Sequence, residues 1–189
     1  MRGMILLGVI LVLAGSLATP VRGQAGEIIL FADSLYTRCW YTEQRYEWLT
    51  LYVVHQGTPG ATGCRFMLQT PPHSCWSYWG ESSAYTVVGD TRTGVTVNYG
   101  ACLAANVLVM KVYYYVQLCC SGWCSEVQVV PDPAAPSGVF EVYDCNGNTL
   151  VGESWALTVN PRSGLCYPWC SIAIPVEAST WGRVKALYE

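Results

Sequence analysis

The 189-residue sequence has few charged residues and few histidines. Asp, Glu, Lys and Arg together make up 12% of the chain, and only two histidines, His55 and His73, are present. Intrinsic disorder is excluded, because it requires high charge and low hydrophobicity, whereas 52% of these residues are apolar and 13% are aromatic. Collagen-like, coiled-coil and low-complexity patterns are also missing. With only two histidines, the chain has few candidate residues for acid–base catalysis near neutral pH.

Long apolar runs are missing beyond the N-terminus. There, Arg2 precedes an apolar run at residues 4–18, and small or helix-breaking residues follow through Ala25. This layout predicts a secretory signal peptide over residues 1–25, cleaved near Ala25, with Gly23 or Ala18 as alternative sites. An uncleaved anchor is less favoured, because a membrane span needs about 18 or more apolar residues. The sequence therefore predicts a secreted protein, extracellular or periplasmic, with no membrane insertion after signal-peptide removal.

Basic residues are also scarce. Removal of the first 25 residues would leave 8 basic residues against 13 acidic ones, and the basic ones are scattered. Nucleic acids and anionic membrane surfaces are poor partners for such a chain, because both require clustered Lys and Arg.

Cysteine, in contrast, is abundant. An even number of cysteines behind a signal peptide predicts a disulfide framework of up to five bridges. Proximity in the chain suggests Cys64 with Cys75, Cys145 with Cys166 or Cys170, and Cys119 or Cys120 with Cys102 or Cys124. A zinc site is the less favoured alternative, because the paired two-residue spacings of zinc sites are missing. The ten cysteines are Cys39, Cys64, Cys75, Cys102, Cys119, Cys120, Cys124, Cys145, Cys166 and Cys170.

The hydrophobic pattern has a period of two, which predicts an all-β protein. The longest signal covers residues 107–118, where two sets of side chains alternate. The set predicted to face the core is Leu108, Met110, Val112, Tyr114, Val116 and Leu118, and the opposite set is Val109, Lys111, Tyr113, Tyr115 and Gln117. Shorter strands are predicted at residues 27–31, 49–55, 64–69, 85–88, 94–99 and 125–130. Short strands separated by Gly-, Pro- and Ser-rich turns predict an antiparallel two-sheet sandwich.

The segment at residues 131–138 contains three prolines and is predicted to be a linker. The expected division is therefore a signal peptide at 1–25, a sandwich domain at 26–130, this linker, a small Cys-containing β module at 139–174, and a tail at 175–189. In the module, Asn146-Gly147 predicts a tight hairpin turn. In the tail, a short helix is predicted over residues 181–188.

Candidate catalytic and metal-binding patterns are incomplete. A serine hydrolase would need His55 or His73, and no Gly-x-Ser-x-Gly elbow is present, so His73 is interpreted as a solvated loop residue. Asp144, Asn146 and Asn148 resemble the first half of a calcium loop, but Thr149 stands where glycine is required, which favours a simple turn. No catalytic residue, metal or cofactor is therefore predicted.

Three aromatic residues, Trp76, Tyr78 and Trp79, are clustered between Pro71-Pro72 and Gly80, in a segment interpreted as a loop. Exposed rings there could stack on sugars, whereas buried rings would fill the core. Packing is favoured, and Trp76 and Trp79 are the best candidates for ligand contact.

Two parts of the sequence carry a family resemblance. The C-terminal Thr-Trp-Gly-Arg-Val-Lys-Ala-Leu-Tyr of residues 180–188 resembles the ending of small exported bacterial proteins of unknown function. Residues 49–69, a strand followed by three glycines and a second strand, are similar in layout to cohesin-like sandwich domains, within the broader cohesin-like or immunoglobulin-like class. The resemblance implies a bacterial exported sandwich that binds partner modules or forms surface scaffolds.

The leading functional hypothesis is a non-catalytic exported protein that acts in cell-surface structure or protein–protein contact. A carbohydrate-binding module that uses exposed Trp and Tyr is the alternative, and an extracellular hydrolase is the third. The expected partner is a protein or a glycan at the cell surface.

Overall fold

The computed structural model describes residues 25–166, and every regular element in this part of the chain is a β-strand. The all-β prediction is thus confirmed for these residues. No helix within them is long and apolar enough to cross a membrane. The strands are β1 (Glu27–Phe31), β2 (Trp40–Tyr41), β3 (Glu47–Gln69), β4 (Trp76–Ser82), β5 (Thr86–Asp90), β6 (Gly94–Val116), β7 (Ser125–Val130), β8 (Glu141–Asp144), β9 (Thr149–Val151), β10 (Glu153–Trp155) and β11 (Leu157–Val159).

Two 23-residue strands, β3 and β6, pair antiparallel and organise the fold. A straight strand of this length would span about 75 Å at 3.3 Å per residue. Leu51 and Phe66, from opposite halves of β3, are nevertheless fully buried in one core cluster. The ribbon therefore bends, and the bend lies where the register shifts repeatedly between Val53 and Gly63. The bend explains why separate strands were predicted for the two halves.

A bulge in β6 changes which side chains face the core. Val53 pairs with Met110 and Val54 with Leu108, so Val109 is an extra residue on the β6 side. Beyond the bulge, the predicted core positions from Met110 to Val116 are correct. The prediction for Leu108 is wrong, because the shifted alternation places it on the opposite face, in a small cluster with Val54.

Two residues near this strand also depart from the predicted alternation. Val109, predicted to face away, is fully buried in the main core because of the bulge. Leu118 lies after the end of β6 and is 44% exposed, so it does not belong to the core.

Two further strands pair with the edge of β6 that lies opposite β3. β5 pairs with the beginning of β6, and β4 pairs with its end. The aromatic segment that was predicted to be a loop is therefore a strand at the edge of the sheet, with Trp76 opposite Val116 and Tyr78 opposite Tyr114.

The strands after the Pro-rich segment are integrated into the same fold. β8 pairs with β3, β10 pairs in parallel with β1, and β11 lies between β7 and β2. β8 and β9 form the hairpin that was predicted at Asn146-Gly147. Leu157 and Val159 of β11 lie in the main core. Residues 141–159, which fall within the small β module predicted at 139–174, therefore share their sheet and core with the preceding strands.

Three disulfides join cysteines that are distant in the described sequence: Cys75–Cys120, Cys102–Cys145 and Cys124–Cys166. Each links residues 42 to 45 positions apart. The predicted pairings for these cysteines are wrong, because strand pairing, and not proximity in the chain, brings the partners together.

Two cysteines of the predicted framework are free thiols. Cys64 is fully buried in the core beside Tyr99, and Cys119 is exposed. Cys39 is disulfide-bonded, as predicted. The predicted signal peptide and cleavage site before residue 25, the pairing of Cys170 and the helix at residues 181–188 lie outside the described residues.

Candidate functional site

The three aromatic residues singled out in the sequence lie on β4, but they do not form one platform. Trp76 and Tyr78 pack against the main core cluster, whereas Trp79 is 65% exposed. This separation follows from the alternation of side chains along a strand. The three residues therefore belong to two different environments.

Trp76 is fixed by a buried carboxylate. Its Nε1 donates a hydrogen bond of 2.6 Å to Oε1 of Glu43, a residue that is only 7% exposed. The Trp76 ring also contacts Tyr41 and Tyr114, with centroid distances of 6.0 and 5.6 Å. The packing interpretation fits Trp76, because its polar group and its faces are already occupied.

Tyr78 is held between Tyr114 and Arg92. The Arg92 guanidinium carbon lies 4.2 Å from the centroid of the Tyr78 ring. Burial, together with the nearby Glu81 carboxylate, raises the pKa of Tyr78 to about 12, so its hydroxyl stays protonated at neutral pH.

Trp79 faces the other side of the sheet, where it meets two aromatic residues from β3 and β6. Its ring is 5.0 Å from that of Trp48, which is 55% exposed, and the Trp48 ring is 5.1 Å from that of Tyr115. We call Trp48, Trp79 and Tyr115 the aromatic cluster. Large apolar side chains in contact with one another and with solvent are typical of interaction surfaces.

Two members of the aromatic cluster, Trp48 and Tyr115, were not among the contact residues predicted from the sequence. Trp48 lies just before the strand predicted at residues 49–55, and only the observed start of β3 at Glu47 places it on the sheet. Tyr115 was assigned correctly to the face of residues 107–118 that points away from the core. The sequence did not predict that residues 76–82 form a strand that pairs with β6. This pairing places Trp79 close to Tyr115.

Polar side chains on the sheet surround the aromatic cluster, and several of them are hydrogen-bonded to one another. Tyr113 shares a hydrogen bond of 2.8 Å with the hydroxyl of Ser82, and Gln117 donates one of 2.8 Å to Ser77. The Lys111 ammonium lies 5.7 Å from the centroid of the Tyr52 ring. Hydrogen-bonded polar residues beside exposed aromatic rings resemble the rim and centre of a protein interface.

The buried histidine has a structural role. His55 is fully buried, with Nε2 2.7 Å from the carbonyl oxygen of Ala25 and Nδ1 3.2 Å from the Tyr99 hydroxyl. Burial lowers the pKa of His55, although the contact with Ala25 opposes this effect. His55 is therefore inaccessible to a substrate. His73, by contrast, lies in an exposed turn with a φ of 62°.

Comparisons with known proteins identify a fold. No protein-family model matches the chain, and no curated protein matches it. The chain is similar in structure to the type II cohesin dyad from the adaptor ScaA scaffoldin of Acetivibrio cellulolyticus, with a TM-score of 0.53, 12% identity and coverage of 73% of this chain. It spans 49% of the length of that dyad.

Two further solved structures are cohesins. A type II cohesin domain from the cellulosome of Acetivibrio cellulolyticus matches with a TM-score of 0.49 and 13% identity, over 71% of this chain and 93% of its own. A cohesin in a Clostridium thermocellum cohesin–dockerin complex has a TM-score of 0.49 and 10% identity, over 72% of this chain and 98% of its own. At these identities the likeness concerns the fold alone, which is cohesin-like.

Proposed function

We propose that this protein is an exported, disulfide-stabilised, non-catalytic sandwich protein that contacts a protein partner through the aromatic cluster. The observation that carries the proposal is the exposed contact between Trp48 and Trp79, with ring centroids 5.0 Å apart. Trp and Tyr are enriched among the residues that contribute most to protein–protein binding energy.

The rigid support of the cluster favours a binding role. Trp48 and Tyr115 lie opposite each other on the paired strands β3 and β6, and Ser77, two residues before Trp79, lies opposite Tyr115 on β4. Three adjacent strands thus hold the rings in place before any partner arrives. Preorganised side chains lose less conformational entropy on binding.

Export is supported by the chemistry of the cysteines. Disulfides persist in oxidising compartments and are rare in the cytosol. Three are formed between described residues, and the apolar run at residues 4–18 fits a signal peptide. The cohesin-like fold adds support for a binding role, since the similar dyad comes from an adaptor scaffoldin.

Site-specific photo-cross-linking in the source cells tests this proposal. A photoreactive phenylalanine at position 79 would replace one exposed aromatic residue by another. The same residue at position 123 is a matched control, since Trp123 is 64% exposed and contacts Arg162, outside the cluster. We expect a discrete protein adduct from position 79 only. The same adduct from both positions, or none from position 79, would contradict the proposal.

A further inference from the structure

A groove lies beside the aromatic cluster. Residues of the segment between β1 and β3, together with the beginning of β3, line this groove of about 360 Å³. Small-molecule sites start at about 300 Å³, so this groove has room for a sugar unit or two.

Aromatic residues form part of the groove wall. Trp40, Trp48 and Tyr52 line it, and Trp48 is 55% exposed. Aromatic rings can stack on the C–H face of a sugar ring and exclude water from that contact. The groove thus contains the apolar element that a sugar ring needs.

Polar side chains that make no hydrogen bond to the described protein supply the second element. Arg38 and Gln44 line the groove and are exposed, and neither side chain makes a hydrogen bond within residues 25–166. Their donors and acceptor are available to ligand hydroxyls. Beside them, Glu47 accepts a hydrogen bond of 3.1 Å from the hydroxyl of Tyr41 through one carboxylate oxygen.

The backbone of β3 adds further hydrogen-bonding groups. Residues 47–51 pair with β6 on one side, and no described strand pairs with them on the other. The groove is lined by four of these residues, Glu47, Trp48, Leu49 and Thr50. An unpaired strand edge offers both N–H and C=O groups.

We infer that this groove binds a neutral oligosaccharide, with Trp48 in contact with a sugar ring and with Arg38 and Gln44 hydrogen-bonded to its hydroxyls. This site extends away from the proposed protein contact, because the groove is not lined by Trp79 or Tyr115. The two sites share only Trp48.

The charges in the groove select against acidic sugars. Asp33 is fixed by backbone amides of Thr37 and Arg38 at 3.0 and 2.7 Å. Burial acts to raise the pKa of Asp33, but the hydrogen bonds from Arg38 and Thr37 outweigh it and hold the pKa below its usual value. Asp33 and Glu47 therefore carry two negative charges against one positive charge on Arg38. A uronic acid would be repelled.

Isothermal titration of the purified exported chain with cellohexaose, xylohexaose, mannohexaose, chitohexaose and a galacturonic acid hexamer tests the inference. We expect at least one neutral hexasaccharide to bind and the acidic one to fail. The double variant Arg38→Ala/Gln44→Ala should weaken the neutral ligand by about tenfold or more, an amount equal to about 1.4 kcal/mol.

Two control variants make the result specific. Arg45 is exposed and close in the chain but does not line the groove, so Arg45→Ala should leave the affinity unchanged. Trp123→Ala, which removes an exposed Trp that lies outside both the groove and the aromatic cluster, should also leave it unchanged. Failure of every neutral hexasaccharide to bind, or an equal loss in Arg45→Ala, would overturn the inference, whatever the outcome of the cross-linking.

Discussion

Glu43 and Trp76 connect the segment before β3 to the edge strand β4 through a hydrogen bond of 2.6 Å. The same buried carboxylate accepts hydrogen bonds from the backbone and hydroxyl of Ser121, at 3.1 and 2.6 Å, and from the amide of Asn160, at 3.1 Å. One side chain thereby joins four separate parts of the chain. The carboxylate is stabilised by these donors in place of water.

Replacement of Glu43 by Ala should be strongly destabilising. The change leaves the partly buried Trp76, Ser121 and Asn160 donors without their acceptor, and a donor left unsatisfied away from water costs about 1 to 3 kcal/mol. We therefore expect urea unfolding to show a loss of about 3 kcal/mol or more in the free energy of unfolding. Exposed Glu126 is the control, and Glu126→Ala should change this free energy by about 0.5 kcal/mol or less. Equal effects of the two substitutions would show that the Glu43 contacts contribute little.

Trp76 and Trp79 should respond differently to truncation. Trp76→Ala removes a ring that packs against the core and should lower the free energy of unfolding by about 3 kcal/mol. Trp79 is 65% exposed, so Trp79→Ala should change it by about 0.5 kcal/mol. Thermal melts of the two single variants measure this difference. A lower melting temperature for Trp79→Ala than for Trp76→Ala would mean that the exposed ring supports the fold.

The two free thiols should differ in reactivity. Thiolates are the reactive form, and burial raises the pKa of Cys64 to about 12, although a hydrogen bond from Tyr99 opposes this shift. We expect iodoacetamide at about pH 8 to label exposed Cys119 in the native protein and Cys64 only after unfolding. Peptide mass spectrometry locates the label, and Cys119→Ser provides the blank. Native labelling of Cys64 would be inconsistent with its burial in the core.

The ion pair between Arg65 and Asp132 should make stability depend on pH. Burial acts to raise the pKa of Asp132, but the hydrogen bond of 2.7 Å from Arg65 and another from the Ala134 amide prevail and lower it. Such a group stabilises the folded state above its unfolded pKa of about 3.9, and this contribution is lost as the pH falls through the lower folded value.

The variant Asp132→Asn isolates this contribution. The difference in unfolding free energy between the wild type and the variant should be largest near neutral pH and should shrink below about pH 4. Urea titrations across this range measure it. A difference that stays constant down to the acid limit would show that Asp132 acts by packing alone.

Local patterns predicted much of the fold. β1 and β7 have the predicted bounds, because a short apolar run in β1 and an alternating apolar pattern in β7 are each framed by turn residues. The errors arise from interactions between distant residues. The bulge at Val109 changes the face of Leu108, and nothing local marks it. The disulfide partners likewise meet only after the strands pair.

The candidate site was predicted only in part. Trp79 was correctly named as a candidate contact, but Trp48 and Tyr115 come from strands about 30 residues away on either side of it, and only sheet register unites them. Trp76 shares its residue type and its strand with Trp79. Its role differs because Glu43 and the core lie on its side of the sheet.

The most direct test of the proposed function is the affinity of the cross-linked partner, once purified, for the wild type, Trp79→Ala and Trp123→Ala. We predict that Trp79→Ala binds about thirtyfold more weakly, which corresponds to a loss of about 2 kcal/mol, with an unchanged melting temperature. Trp123→Ala should bind like the wild type. Equal affinities for all three proteins would contradict the assignment of the aromatic cluster as the contact surface.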